Sequence, residues 1–404
     1  MAVERPLCIS TLDLEFFQRG GVVTKCRAFA QMAEAEGFSP FLLTPSLARH
    51  RTVRRRLKGE ERLPPHLGRF DDWPCWQVGA ICPEFESNAH RFETSFLESI
   101  LPNGTVCVAV SGNNHAARPF LDTGRRFGVW PGSTFWEDCR DRIRSAPWSY
   151  RKVLDLAGKP ACERLERRIF HMAEAVLADT TYTRDCILRE NPSWRDKTNV
   201  VPVPVDCDFF HPLEGASVPT ASVPREIVFI GRLSDPRKNL GLLFDAFELV
   251  GRRDEDARLV LMGSGDSSDE ARIRAHPFAA RIEWLRQVSE EEKRRRLQRA
   301  AMLVIPSLQE GFGITGAEAL ACGVPVVSTP CGGPKDFVIE GKTGLVLRGF
   351  DPTEMADVLL ILLHDESLRR MLGAQGRDFA VAHLSMEAVR GALRTLIHSL
   401  AAAV

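Results

Sequence analysis

Glu310 and Glu318 stand either side of seven residues in QEGFGITGAEALACGVPVVST, Gln309 to Thr329. Two carboxylates so placed suit either an acid/base pair or a site for a ligand that carries phosphate. Gly311 and Gly313 let the backbone approach a ligand closely. A helix opening at ITGAEALAC turns its first free N–H groups toward an anion. A carboxylate in the loop, Glu310, can accept hydrogen bonds from sugar hydroxyls. One in the second helical turn, Glu318, can hold a ribose, as the acidic residue of dinucleotide folds does. As plain partners of a helix dipole, one of the two would be explained, less easily both.

A second group lies upstream in GRLSDPRKN, Gly231 to Asn239. Gly231 ends a strand-like run, and Arg232 and Lys238 flank a proline-containing turn before the next helix. Ligands of open α/β sheets sit beyond the carboxyl ends of strands, which is where this loop falls. Arginine offers a planar fork to phosphate oxygens and lysine a mobile point charge. A solvated basic turn is the plainer alternative. Gly263, in MGSGD, also follows a strand and can line a nucleotide site. His115, in SGNNHAARP, follows the strand GTVCVAVSG and would face a cleft, although a lone histidine is more often structural. Asp206-Cys207-Asp208 has the form of a DxD metal motif but sits in a linker, and we read it as structural.

These residues require strands that end beside one another, and the chain supplies them. Short β-rich runs alternate with amphipathic helical stretches, the pattern of βαβ units and parallel sheets. In the first half PLCISTL, FSPFLLT, GTVCVAVSG, FGVW and AVLADT read as strands, and VVTKCRAFAQMAEAEG as a helix closed by Gly37. A further helix is expected through Arg164–Met172, whereas 46–95, rich in Arg, Pro and Trp, resists assignment. The proline-punctuated stretch 199–224 reads as a linker. Beyond it REIVFIGRL, ARLVLMGSG, RIEWL, AMLVIPS, PVVST and TGLVL read as strands, with a charged helix from Glu290 to Ala300. Leu240, Leu243, Phe244 and Phe247 share one face of the helix NLGLLFDAFELVGRR.

A chain of 404 residues is long for one domain and comfortable for two. A formal charge of zero gives no global field toward nucleic acid. Arg49, Arg51, Arg54, Arg55, Arg56 and Lys58 form a local basic cluster, either a solvated face or a contact for an anionic acceptor or lipid headgroup. Trp73 and Trp76 can stack on a sugar or bury in a core. The eleven cysteines contain no CxxC pair and suit reduced thiols, several of them small core residues. Neither a signal-peptide stretch nor a run of about 20 apolar residues occurs, so a cytoplasmic location with at most peripheral membrane contact is expected.

The E-x7-E spacing in EGFGITGAE, followed by ALACGVPVVST and GGPKDFVIEGKTGLVL, resembles the signature of retaining glycosyltransferases of family 4, which have the GT-B fold. GRLSDPRKN resembles that family's phosphate-binding stretch. The likeness is specific over Arg225–Leu347 and takes in the domain junction VPVDCDFFHP, and it is weak over the N-terminal half. It implies two Rossmann-like domains with parallel sheets facing a central cleft. An acceptor-binding domain over 1–200, joined by C-terminal helices at about 386–404, would precede a nucleotide-sugar-binding domain over 201–385.

The resemblance also implies roles. Arg232 and Lys238 would grip the donor diphosphate, with Gly231 and Gly263 beside them, and Glu310 would contact the transferred sugar. Backbone amides of Phe312, Gly313 and Ile314 would lie near sugar and phosphates, next to Gly311, while Glu318 would bind the ribose. Gln287 and Val288 would hold the base, in a loop where Arg286 replaces the family's common glycine. Gly20-Gly21 resembles the family's N-terminal Gly-Gly loop against donor and acceptor, though a plain strand-to-helix turn suits these residues as well. Many members carry a histidine after the next strand, where this chain reads Trp130-Pro131-Gly132-Ser133. His115 is then the acceptor-side candidate for catalysis. The implied co-substrate is a nucleotide sugar, UDP- ahead of GDP-, and no metal or other cofactor is expected. The acceptor would be a glycan, lipid or small molecule. A nucleotide-sugar 2-epimerase and a catalytically degenerate nucleotide-sugar binder are the alternatives.

Overall fold

The computed structural model describes residues 5–14, 20–50, 52, 63–145, 150–213 and 225–402. Most of the basic cluster, Arg51, Arg54, Arg55, Arg56 and Lys58, lies outside them. The chain divides into two compact units, Met1–Pro204 with Val389–Val404, and Val205–Ala388. Among the described residues no helix is long and apolar enough to cross a membrane.

The N-terminal unit is built on eight strands: β1 (Arg5–Ser10), β2 (Phe38–Pro45), β3 (His66–Phe70), β4 (Trp73–Val78), β5 (Val106–Ser111), β6 (Gly128–Pro131), β7 (Ala175–Ala178) and β8 (Thr198–Val200). Their order is β3-β4-β2-β1-β5-β6-β7-β8. All pair in parallel except β3, which runs antiparallel to β4. Strands covered on both faces must be apolar throughout, and every residue of β5 is buried. The β3–β4 hairpin lies in the stretch that resisted assignment and adds an edge strand. Trp73 is buried there, and Trp76 packs edge-on against Phe96. Helix α1 (Gly21–Ala35) follows β1, and a helix spans Tyr150–Met172, longer than the spacing predicted. Within this unit the C-terminal helix brings Leu396 and Leu400 onto Gly128 of β6. All eleven cysteines are free thiols, ten of them buried.

The C-terminal unit carries β9 (Arg225–Ile230), β10 (Ala257–Met262), β11 (Ile282–Leu285), β12 (Met302–Ile305), β13 (Val326–Ser328) and β14 (Gly344–Val346) in the order β11-β10-β9-β12-β13-β14. All six run parallel. The chain winds outward from β9 to one edge, then returns to the other side of β9 and winds outward again. The winding direction therefore reverses between β9 and β12, and the loops leaving these two strands part around a crevice. Helix α2 (Leu240–Gly251) buries Leu240, Leu243, Phe244 and Phe247 on the sheet, the face its spacing specified. Below them lie Ile227, Phe229, Leu259, Leu261, Val304 and Val327.

The strand ends of this unit are packed so closely that side chains are excluded. Gly263 has φ +134, and a Cβ there would lie 2.1 Å from the Gly231 carbonyl oxygen. Gly263→Ala is therefore expected to cost at least about 2 kcal/mol, from strain and forced separation of the β9 and β10 termini. A fall in urea midpoint checks this, and an unchanged midpoint would show that the close approach is dispensable.

Candidate functional site

The loop after β9 is organised by Asp235. Its carboxylate caps the turn Pro236–Lys238 by accepting from the Arg237 N–H at 3.1 Å. It also accepts from the Arg237 guanidinium at 2.8 Å and from Arg232 Nη2 at 2.7 Å. Burial works against ionisation of Asp235, but the hydrogen bond and charge of Arg237, with the charge of Arg232, hold the carboxyl at about 2. Gly231 donates its N–H to the Met262 carbonyl at 2.9 Å, so this loop leaves the sheet beside Gly263. Asn239, in the left-handed region at φ 50, then turns the chain into α2.

The loop after β12 is fixed from its other side. Glu310 N–H donates to the Cys331 carbonyl at 2.8 Å, and the Glu310 carbonyl accepts from Gly333 N–H at 3.0 Å. These bonds extend the sheet by one rung past β12 and β13 and orient the Glu310 backbone. A Cβ on Gly333 would lie 2.0 Å from the Gly311 carbonyl oxygen, which is how tightly this rung is closed. The Glu310 carboxylate accepts from Ser307 Oγ at 2.7 Å and from Lys238 Nζ at 2.5 Å, both on the same oxygen. Leu308 N–H also donates to the Arg237 carbonyl at 2.7 Å. One backbone bond and one ion pair thus join the two loops across the crevice between β9 and β12.

Beyond Glu310 the chain enters helix α4 (Ile314–Ala321) through Gly313, which is left-handed at φ 89. No side chain caps this helix, so its first N–H groups are not satisfied by one. Phe312 is buried against Phe337, and Gly316 brings the helix so close to Ile305 and Phe337 that a Cβ would meet them at 2.8 and 2.9 Å. Glu318, one turn in, is 7% exposed and receives Lys293 Nζ at 2.9 Å on Oε1. Its second oxygen, Oε2, is buried without a hydrogen-bond partner. Burial raises the Glu318 carboxyl above the usual carboxylate range, and Lys293 opposes that rise. Lys293 belongs to helix α3 (Glu290–Leu297), between α2 and α4 in the chain.

The loop after β11 completes this face. Gly263 N–H donates to the Leu285 carbonyl at 2.9 Å, and Trp284 Nε1 donates to the Gly263 carbonyl at 2.9 Å. Arg286 stacks on the Trp284 ring at 3.8 Å and pairs with Glu270 at 2.6 Å. Gln287 is exposed and Val288 half-buried. Arg232, Lys238, Glu310, Gly311, Phe312, Gly313 and Ile314 therefore flank one crevice, with Gly231, Gly263 and the β11 loop along its margin.

Gly20, Gly21 and His115 belong to the N-terminal unit. Gly20, at φ 113, starts α1 and accepts from Thr24 N–H at 3.1 Å. His115 does not face an opening as its place after β5 suggested. It is 2% exposed, Nε2 lies 3.3 Å from the Cys162 carbonyl, and its ring stacks on Phe135. Burial drops its pKa to about 4, which suits a neutral core histidine. Asp206 of the DxD-like run caps its own turn, accepting from the N–H groups of Asp208 and Phe209 at 3.1 and 2.9 Å. Sequence reading missed Lys25, which is buried and ties α1 to Asp179 at 3.1 Å and to the Ser111 and Trp130 carbonyls. It also missed Lys293. Both lie in helical stretches whose lysines read as solvent-facing.

A six-stranded parallel unit with a cationic loop, a glycine-rich helix start and a buried carboxylate near its switch point is one of the two parallel-sheet units of a GT-B fold. Residues 224–365 match the family described as glycosyl transferases group 1. Curated relatives include the D-inositol 3-phosphate glycosyltransferase of Xylanimonas cellulosilytica, 32% identical over 231 residues, which cover 52% of this chain and 54% of that protein. The phosphatidyl-myo-inositol mannosyltransferase of Mycobacterium leprae is 30% identical over 155 residues, covering 38% and 41%. The chain spans about half the length of these relatives. The whole chain shares its fold with sucrose-phosphate synthase from Thermosynechococcus elongatus, at TM-score 0.73 and 18% identity over 99% and 100% of the two chains.

The Asp235 carboxyl links site and stability. Its folded pKa of about 2 lies below the ordinary 3.8, so it contributes about 2 kcal/mol above pH 4, lost as pH falls from about 4 to 2. Asp235→Asn should therefore lower the unfolding free energy by about that amount at pH 7, with the difference from wild type shrinking toward pH 3. A constant difference across that range would refute the assignment.

Proposed function

We propose that this chain is a retaining glycosyltransferase that moves a sugar from a nucleotide diphosphate sugar, UDP- in preference to GDP-, to an acceptor hydroxyl. The observation that carries this reading is the Lys238–Glu310 pair at 2.5 Å, which sets a cation and a carboxylate side by side at the switch point and before an uncapped helix start. A nucleotide sugar has the matching order of parts: hydroxyl-rich sugar, diphosphate, ribose and base. Lys238 and Arg232 meet the diphosphate with the N–H groups at the start of α4. Glu310 meets the sugar, Glu318 the ribose, and the backbone of Gln287 and Val288 the base. The match of residues 224–365 to glycosyl transferases group 1 supports donor binding in this unit. UDP as the nucleotide draws support from the Anabaena protein HepE, solved with UDP-glucose, which shares this fold at TM-score 0.67 and 14% identity. We assign the acceptor to the N-terminal unit.

The reaction breaks the bond between the anomeric carbon and the leaving phosphate oxygen. It forms a bond from the same face to the acceptor oxygen, whose proton passes to the departing phosphate. Negative charge grows on the diphosphate as this occurs. Lys238, Arg232 and the helix-start amides are already in place and stabilise that charge more in the transition state than in the ground state. Glu310, paired with Lys238 and Ser307, positions substrate and need not accept the proton.

Labelled UDP- and GDP-sugars, incubated with and without acceptor extracts, test the reading. Nucleotide release that depends on acceptor supports transfer, whereas binding of a donor without turnover would leave only a nucleotide-sugar binder. Lys238→Ala should reduce transfer about 100- to 1,000-fold with the fold intact, and near-normal turnover in that variant would sink the diphosphate assignment. The chain's own cations meet the leaving-group charge, so transfer should continue undiminished in excess chelator. Loss of activity restored by a divalent metal would contradict this.

A further inference from the structure

Lys293 carries no role in the scheme above, yet it is 13% exposed and built into the base of the site. It lies in EEEKRRRL, a helix that reads as a solvated charge run and whose other cations pair mainly on the outside. Lys293 instead turns inward, to Glu318 Oε1 at 2.9 Å and to Glu290 Oε2 at 2.7 Å. The Phe210 ring covers it at 5.0 Å. That ring is held in turn, because Arg377 donates to the carbonyls of Cys207, Phe210 and Ala321 at 2.9, 2.8 and 2.9 Å. Gln298 donates to the His211 carbonyl at 2.7 Å. Helix α3, the segment Cys207–His211 and helix α4 are locked together around one ammonium group.

This arrangement has a directional consequence. A buried carboxylate with no partner would be held neutral or would turn toward water. Lys293 engages one oxygen only, and the other, Oε2, is buried and without a partner. Burial alone would drive Lys293 toward neutrality, and the Glu318 and Glu290 carboxylates outweigh it and keep the ammonium charged. The pair leaves Oε2 as a buried acceptor oxygen with no partner of its own. A vicinal diol matches it, because a hydroxyl donates to a carboxylate and a deoxy carbon does not.

We propose that Lys293 is a specificity-determining positioning residue: by holding Glu318 Oε1 it presents Oε2 as the acceptor for a ribose hydroxyl, and so makes the site select ribonucleotide donors. This rests on the donor-site reading above. Lys293 does not touch the donor and acts through Glu318.

The test is a comparison of dissociation constants for UDP and GDP, each against its 2′,3′-dideoxy counterpart, in wild type, Lys293→Met and Glu318→Gln. Wild type should lose roughly tenfold or more when the ribose hydroxyls are removed, the strength of a hydrogen bond to a charged group. Both variants should bind the two forms almost equally, while keeping the part of the affinity that comes from diphosphate and base. Lys293→Gln, which lacks the charge but keeps a polar end, decides the matter where Lys293→Met does not fold. It too should lose the discrimination. Full ribose discrimination in a folded Lys293 variant would overturn the proposal and leave the donor site standing. A wild-type protein that binds neither nucleotide, or does not distinguish the dideoxy forms, would overturn the donor-site reading itself.

Discussion

The C-terminal unit turns on the contact between Lys238 and Glu310. The two residues lie 72 positions apart, on loops that leave the sheet on opposite sides of its switch point. Each is held from behind before they meet. Asp235 shapes the turn that delivers Lys238, and backbone bonds to Cys331 and Gly333 set the rung that delivers Glu310. The pair is only partly screened from water, so its net contribution to stability is modest. Its weight is positional: it fixes a cation where a diphosphate can share it and a carboxylate where a sugar can.

Glycines set how close the surrounding backbone comes. Gly231 and Gly263 bring the ends of β9 and β10 into contact, and Gly311 and Gly333 do the same beyond β12 and β13. Gly316 draws α4 down onto Ile305 and Phe337, so that the helix start and Glu318 keep a fixed height above the sheet. Main chain is thus packed closely against main chain around the site. The paired charges of Arg232 with Asp235, Lys238 with Glu310 and Lys293 with Glu318 then set its electrostatics.

Much of this was legible in the sequence. The parallel strands are short apolar runs such as VCVAVS and MLVI, and α2 buries the face its spacing marks. Lys238 and Glu310 stood out because their residue types interrupt those patterns at strand ends, and Glu318 because it is a carboxylate in an otherwise small and apolar helix. The β3–β4 hairpin did not, because an edge pair with Arg69, Pro74 and two tryptophans follows no clean alternation. His115 shows a different limit. A position after a strand locates its backbone, but the ring turns into the space between Phe135 and Cys162. Lys293 was hidden for the converse reason, since a lone lysine among six charged neighbours carries no sign that it faces inward.

The most direct measurement is a crystal structure of the protein with UDP bound. The diphosphate oxygens are expected within hydrogen-bonding distance of Lys238 Nζ and the first N–H groups of α4, with a ribose hydroxyl on Glu318 Oε2. A nucleotide whose diphosphate lies away from the Lys238–Glu310 contact, or that occupies another face of the unit, would contradict the assignment.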